Sequence, residues 1–296
     1  MIDAMTDVII YEVGPRDGLQ NEANFVETET KIELINRLSK TGLIKIEATS
    51  FVSPKWVPQL ADSSQVMAGI ERKEGVSYSA LTPNLKGAEL AIKANVDEIA
   101  IFAAASESFS QKNINCSIEE SIDRFKPVME MAKDHKLKVR GYVSCVTHCP
   151  YDGEISPATV SDISETLIKM GCYEISLGDT IGKADPAAIK KLLRAHEAVL
   201  PLQNLALHCH DTYGRALDNI AAGLEMGIRT FDSSVAGLGG CPYAEGASGN
   251  VATEDVLSLV NSLGLNSGVD IDKIIDVALY ISKKLGRAPN SKTAVK

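Results

Sequence analysis

Short apolar, β-branched runs alternate with amphipathic stretches of helical period from one end of the chain to the other. The strand-like runs fall at residues 8–13, 43–48, 76–81, 98–103, 138–145, 173–177, 205–210 and 230–235. Between them, residues 30–40, 117–135, 157–170, 186–200, 215–226 and 253–263 repeat their apolar side chains with the period of a helix. About eight such units, with no proline-rich or low-complexity linker among them, predict an α/β fold, the (β/α)8 or TIM barrel of parallel strands in one domain. Residues 270–285 predict an additional C-terminal helix, with Ile271, Ile274, Ile275, Ala278 and Ile281 on its apolar face. An open, doubly wound sheet is the competing architecture. It opens with a glycine-rich phosphate turn after its first strand, whereas here the turn is Gly14-Pro15-Arg16-Asp17-Gly18, in which proline and an ion pair replace the expected glycines.

With 296 residues, 45% of them hydrophobic and 23% charged, the chain can bury a large core. A net charge of -9 argues against a nucleic-acid partner, because phosphate binding needs a basic surface. No long uncharged apolar run is present, so no membrane span is expected. Six cysteines scattered over a chain of this length do not form a disulfide framework and suit a reducing compartment. Residues 1–7 have neither the apolar core of a signal peptide nor a basic amphipathic pattern, and cytoplasm is the expected location.

Barrel enzymes place their chemistry at the C-terminal ends of the strands, so the barrel reading can be tested within the sequence. Arg16 and Asp17 follow the first strand, Glu47 ends the second, and Asp179 and Thr180 follow the sixth. His208 and His210 end the seventh, and Cys241 follows the eighth. All of them fall on one rim. Side chains at i and i+2 of a strand share a face, so His208 and His210 converge and suggest a metal. A lone His-x-His is equally a core histidine beside an exposed one. Asp17 adds an oxygen ligand and Arg16 a fixed positive charge, which a metal-assisted enolate reaction needs. The plain alternative for this turn is a surface ion pair. Asn250 either caps the helix that begins near Thr253 or offers its amide carbonyl to a hard cation.

Gly237-Leu238-Gly239-Gly240 reads as a flexible lid carrying the Cys241 thiol. A phosphate cradle is the other use of such a loop, but Pro242 stands where a dinucleotide fingerprint has its last glycine and no helix starts there. Cys145-Val146-Thr147-His148-Cys149 lacks the second ligand pair of a structural zinc site, and Cys145 and Cys209 are expected in strands as small buried residues.

Taken together, these segments resemble the signatures of the 3-hydroxy-3-methylglutaryl-CoA lyase family. The resemblance rests on residues 13–22 (Val-Gly-Pro-Arg-Asp-Gly-Leu-Gln-Asn-Glu), 46–59 (Ile-Glu-Ala-Thr-Ser-Phe-Val-Ser-Pro-Lys-Trp-Val-Pro-Gln), 176–182 (Ser-Leu-Gly-Asp-Thr-Ile-Gly), 207–212 (Leu-His-Cys-His-Asp-Thr) and 237–244 (Gly-Leu-Gly-Gly-Cys-Pro-Tyr-Ala). It covers nearly the whole chain. Isopropylmalate and homocitrate synthases and a hydroxy-keto-acid aldolase, from the wider metallolyase barrel superfamily, are similar in the Arg-Asp turn and the His-x-His pair but usually lack the cysteine loop. Against animal mitochondrial members, the chain is expected to have no leader, and it does not carry the cysteine that some of them have near the C-terminus.

The resemblance implies a single catalytic barrel domain over residues 1–296, pyruvate carboxyltransferase-like, that cleaves (S)-3-hydroxy-3-methylglutaryl-CoA to acetyl-CoA and acetoacetate in leucine catabolism or ketone-body formation. It implies a magnesium or manganese ion held by Asp17, His208, His210 and Asn250, with Arg16 on the enolate oxygen. Cys241 becomes the mobile acid/base, and His208 shares proton traffic. Glu47 and Asp179 become positioning groups or proton acceptors. Gln20, Ser50, Asn113, Tyr142, Ser176 and Thr180 take places near the substrate. The implied partner is a small acyl-CoA, with a homodimer or higher homo-oligomer as the assembly. A related Claisen synthase or aldolase acting on a keto acid, and a non-catalytic barrel, are the alternative readings.

Overall fold

The computed structural model describes residues 6–240 and 249–295. Eight parallel strands close into a barrel: β1 (Ile9–Glu12), β2 (Lys45–Ser50), β3 (Ser77–Leu81), β4 (Glu98–Ala104), β5 (Lys138–Ser144), β8 (Glu174–Asp179), β9 (Leu205–Cys209) and β10 (Thr230–Ser233). A two-stranded antiparallel hairpin, β6 (His148–Cys149) and β7 (Gly153–Glu154), lies after β5. Around the barrel, ordered by sequence, run α1 (Thr28–Leu38), α2 (Ser63–Gly69), α3 (Leu85–Lys93), α4 (Glu107–Ile114), α5 (Ile118–Asp134), α6 (Pro157–Met170), α7 (Pro186–Glu197), α8 (Ala216–Met226), α9 (Thr253–Ser262) and α10 (Ile271–Leu285). The barrel and the added C-terminal helix are those expected from the periodicity.

Local chemistry sets the helix ends. Asp185 accepts from the Ala188 N–H ahead of Pro186, which is pre-set for a first turn. Ser117 and Glu120 form a reciprocal capping box on α5. On α10, Ile274, Val277, Ala278 and Ile281 are buried, and each of the isoleucines and the valine contributes about 2 kcal/mol on burial. Ile275, expected on the apolar face, is half-buried, and Val277 takes the core place.

Three short helices, α2, α3 and α4, and the hairpin are additions to the sequence expectation. Cys145 is buried but sits just past β5 in the left-handed region (φ 61°), not in a strand. Cys209 ends β9 and is buried as expected.

The inner face of the barrel is polar where an aliphatic filling is usual. Arg140 on β5 is fully buried and reaches across to Asp232 on β10, with Nη2 2.7 Å from Oδ1. Its Nε donates to Glu174 at 2.7 Å, and its guanidinium lies 4.0 Å from the centre of the Tyr11 ring. A charge placed this deep is tolerable only when fully paired, and every partner here lies on the barrel wall.

Candidate active site at the barrel rim

The Arg16–Asp17 turn is a single tight turn, Gly14–Gly18, in which the N–H groups of Arg16, Asp17 and Gly18 all point at the carbonyl of Val13. Beneath it, Oε1 of Glu12 accepts from Gly14 N and from Val235 N, tying the turn to the chain leaving β10. Arg16 is thereby presented at the rim with Nε donating to Glu47 Oε2 at 2.5 Å and Nη1 to Asp17 Oδ1 at 2.5 Å. These charge-assisted bonds fix the guanidinium plane. Burial opposes the charge on Arg16, but Glu47 and Asp17 outweigh it and hold the group ionised.

From β9, two strands along the barrel from β1, His208 Nε2 lies 3.2 Å from His210 Nε2 and 3.9 Å from Asp17 Oδ2. One donor atom from each of Asp17, His208 and His210 falls within 4.8 Å of the others. Burial alone would raise the Asp17 carboxyl, yet Arg16, His208 and His210 bring it down to about 2, so it is an anion at neutral pH. Burial and the neighbouring His208 push His210 down to about 4, keeping it neutral with a lone pair to offer. Burial also opposes charge on His208, but the hydrogen bond and charge of Asp232 outweigh it and raise the pKa.

Asn250 donates its amide N–H to Asp17 Oδ2 at 2.8 Å and to the Leu238 carbonyl at 3.2 Å, so only its carbonyl oxygen could serve a cation. A carboxylate, two imidazoles facing one another through Nε2 and a nearby amide form a donor set that fits a divalent cation.

Arg16, Asp17, Gln20, Asn113, Tyr142, Thr180, His208 and His210 all line one cavity of about 710 Å³. Gln20 also donates to Asp17 Oδ1 at 2.8 Å. The hydroxyl of Tyr142 is buried with no hydrogen-bond partner among the described residues.

Other expected site residues lie elsewhere. Ser50 is buried and its Oγ accepts from Val52 N at 3.1 Å, and Ser176 donates to Asp232 at 2.6 Å. Glu47 is fully buried behind Arg16. Burial raises its pKa against the pull of Arg16, and Oε1 has no hydrogen-bond partner among the described residues. Along β8, Ser176 faces inward and Gly178 and Thr180 line the cavity, so Asp179 faces outward. Its carboxylate accepts from Lys183 N, Ala184 N and Thr147 Oγ1, bracing the loop after the strand. Burial raises its pKa despite those donors. Cys241 lies outside the described residues. The ends of its loop are pinned together: Gly239 and Gly249 both have positive φ, and a Cβ on Gly249 would stand 2.6 Å from the Gly239 carbonyl carbon. Asp232 and Arg140 were missed by sequence reasoning; the signal available was a charged residue in the middle of each buried strand.

A closed parallel barrel with a guanidinium, a carboxylate and two imidazoles gathered on its C-terminal rim is the build of a metal-assisted barrel enzyme. A family model described as HMGL-like matches residues 7–281, and the chain belongs to that family. It is 57% identical over 287 residues to the mitochondrial hydroxymethylglutaryl-CoA lyase of Gallus gallus, covering 97% of this chain and 96% of that one. It is also 57% identical to the cytoplasmic 3-hydroxy-3-methylglutaryl-CoA lyase of Mus musculus, covering 97% and 84%. The crystal structure of hydroxymethylglutaryl-CoA lyase from Pseudomonas aeruginosa superimposes with a TM-score of 0.96 at 55% identity, covering 98% and 97%. No helix among the described residues is long and apolar enough to cross a membrane.

Proposed function

We propose that this chain is a hydroxymethylglutaryl-CoA lyase that cleaves 3-hydroxy-3-methylglutaryl-CoA to acetyl-CoA and acetoacetate. The observation that carries this reading is the fixed Arg16 guanidinium, paired with Asp17 and lining one cavity with the Asp17–His208–His210 cluster, in a chain 57% identical to enzymes of that name.

Carbon–carbon cleavage asks for loss of the proton on the tertiary hydroxyl and for stabilisation of the departing thioester enolate. A divalent cation, magnesium or manganese, when bound by Asp17, His208, His210 and the Asn250 carbonyl, supplies Lewis acidity that lowers the hydroxyl pKa. The rest falls to the protein. Asp17, ionised down to about pH 2, and His210, neutral above about pH 4, hold the ligand set ready across the neutral range. Arg16, immobilised by Glu47, offers its guanidinium to the enolate oxygen, where charge develops in the transition state. Gln20 keeps Asp17 in place, and Asn113, Tyr142 and Thr180 line the space for the acyl group. Cys241, assigned from the sequence, is the mobile acid/base: as thiolate it takes the hydroxyl proton, and as thiol it returns that proton from Sγ to the enolate carbon. Glu47 and Asp179 act as positioning groups, the first on Arg16 and the second on the loop that carries Thr180.

A role in leucine breakdown or ketone-body formation, a cytoplasmic location and a homo-oligomeric state belong to the same proposal. The relatives' names include both cytoplasm and mitochondrion. The test of the activity is turnover of the hydroxyacyl-CoA with magnesium and after chelation, beside condensation of acetyl-CoA with a keto acid. Magnesium-dependent cleavage without condensation supports the reading; condensation without cleavage assigns the chain to the synthases.

A further inference from the structure

We propose that Asp232 is the positioning residue of the metal seat, fixing the tautomer and ring plane of His208 while Arg140 and Ser176 fix Asp232. The inference rests on Asp17, His208 and His210 being a divalent-cation seat.

β9 and β10 run parallel with His208 and Asp232 as register partners, so the two side chains enter the barrel side by side at one height. His208 Nδ1 stands 3.2 Å from Asp232 Oδ2. The same oxygen accepts from Ser176 Oγ at 2.6 Å and from Arg140 Nη1 at 3.1 Å, and Oδ1 takes Arg140 Nη2 at 2.7 Å. A carboxylate so furnished with donors is acceptor-only. Toward His208 it therefore calls for an N–H at Nδ1, which leaves the Nε2 lone pair facing His210 and Asp17. Gly178, the register partner of His208 on β8, has no side chain to compete for that place.

The anchor of the anchor is rigid as well. Glu174 holds Arg140 at Nε, and the Tyr11 ring stacks at 4.0 Å, so the guanidinium cannot follow His208 if the imidazole swings. An ion pair serving only to fill the barrel needs no histidine. Here Asp232 Oδ2, already accepting from Ser176 and Arg140, takes a third donor from a ligand side chain, the arrangement by which outer groups orient metal-binding imidazoles.

The experiment is manganese titration by electron paramagnetic resonance on the full chain, its Asp232→Asn variant and a Glu174→Gln control. The control also removes a charge from Arg140 but does not touch His208. Folding is followed by near-ultraviolet circular dichroism. Asp232→Asn is expected to bind manganese about 10- to 100-fold more weakly, with Glu174→Gln close to the parent. Equal affinity in folded Asp232→Asn and parent overturns the proposal, as does an equal loss in both variants, which is what a purely structural network gives. A parent that binds no manganese overturns the seat itself and is recognisable as that separate failure. Should Asp232→Asn not fold, nitrogen-15 imidazole spectra of the magnesium-loaded parent decide, assigned by the signals lost in His208→Gln. A proton on Nδ1 of His208 is expected; an unprotonated Nδ1 contradicts the proposal.

Discussion

The Nε–H of Arg16 donates to Oε2 of Glu47 at 2.5 Å, while Oε1 of the same buried carboxylate has no hydrogen-bond partner among the described residues. Glu47 therefore acts on the site through Arg16. With Asp17 on Nη1, the guanidinium is held at two of its three nitrogens and keeps one orientation at the cavity wall.

Arg16→Lys keeps the charge and loses that fork. Steady-state kinetics should show kcat down about 10²- to 10³-fold, the scale for losing one transition-state donor, with KM changed far less. A variant with parental kcat and a raised KM would make Arg16 a substrate anchor instead.

Removal of Asp17 or His210 takes one donor from the cluster at the rim. Asp17→Ala and His210→Ala should each weaken manganese binding by more than about 10-fold while the circular dichroism spectrum is retained. Chelation of the parent should abolish turnover, and added magnesium should restore it. Unchanged manganese stoichiometry in both variants would remove these residues from the seat.

Cys241 is assigned from the sequence alone, on a loop whose ends the structure pins at Gly239 and Gly249 beside Asn250. Cys241→Ala should lose about two to four orders of magnitude in turnover and keep its manganese affinity, because the thiol moves a proton and is not a ligand. Near-parental turnover would leave the proton delivery to another group.

Glu12 connects two parts of the rim and gives stability a pH dependence of known sign. Burial pushes its carboxyl to about 7, against the hydroxyl of Thr253 and the N–H groups of Val235 and Gly14. The folded chain then holds a proton that the unfolded chain releases near the ordinary value of 4.5. The stabilisation is complete below that value and is lost as pH rises through about 7. Melting temperature should fall between pH 5 and pH 8, and fall less in Glu12→Gln, which cannot ionise. Glu254, also near 7, leaves part of the slope in the variant. Parallel melting curves for parent and variant would contradict this assignment.

What was legible in the sequence was whatever depends on short spacing. His208 and His210 read as one face because they are two residues apart, and Asp17 and Arg16 read as a rim pair because they follow a strand. The barrel followed from repeated periodicity, while α2, α3 and α4, of 7, 9 and 8 residues, offered too few turns for a period to stand out. Asp179 shows the limit of arguing from position along a strand. Its place at the strand end was correct, but Ser176, Gly178 and Thr180 share the inward face and leave Asp179 bracing the loop after the strand. Asp232 was beyond reach for a different reason, since its meaning depends on Arg140, 92 residues away, crossing the barrel to meet it.

The most direct test of the central claim is cleavage of 3-hydroxy-3-methylglutaryl-CoA in deuterium oxide with magnesium, with products identified by mass spectrometry at low conversion. Proton return to the enolate carbon predicts equimolar acetoacetate and acetyl-CoA, the acetyl methyl carrying one solvent deuteron. Absence of acetyl-CoA, or acetyl-CoA free of deuterium, would contradict the account.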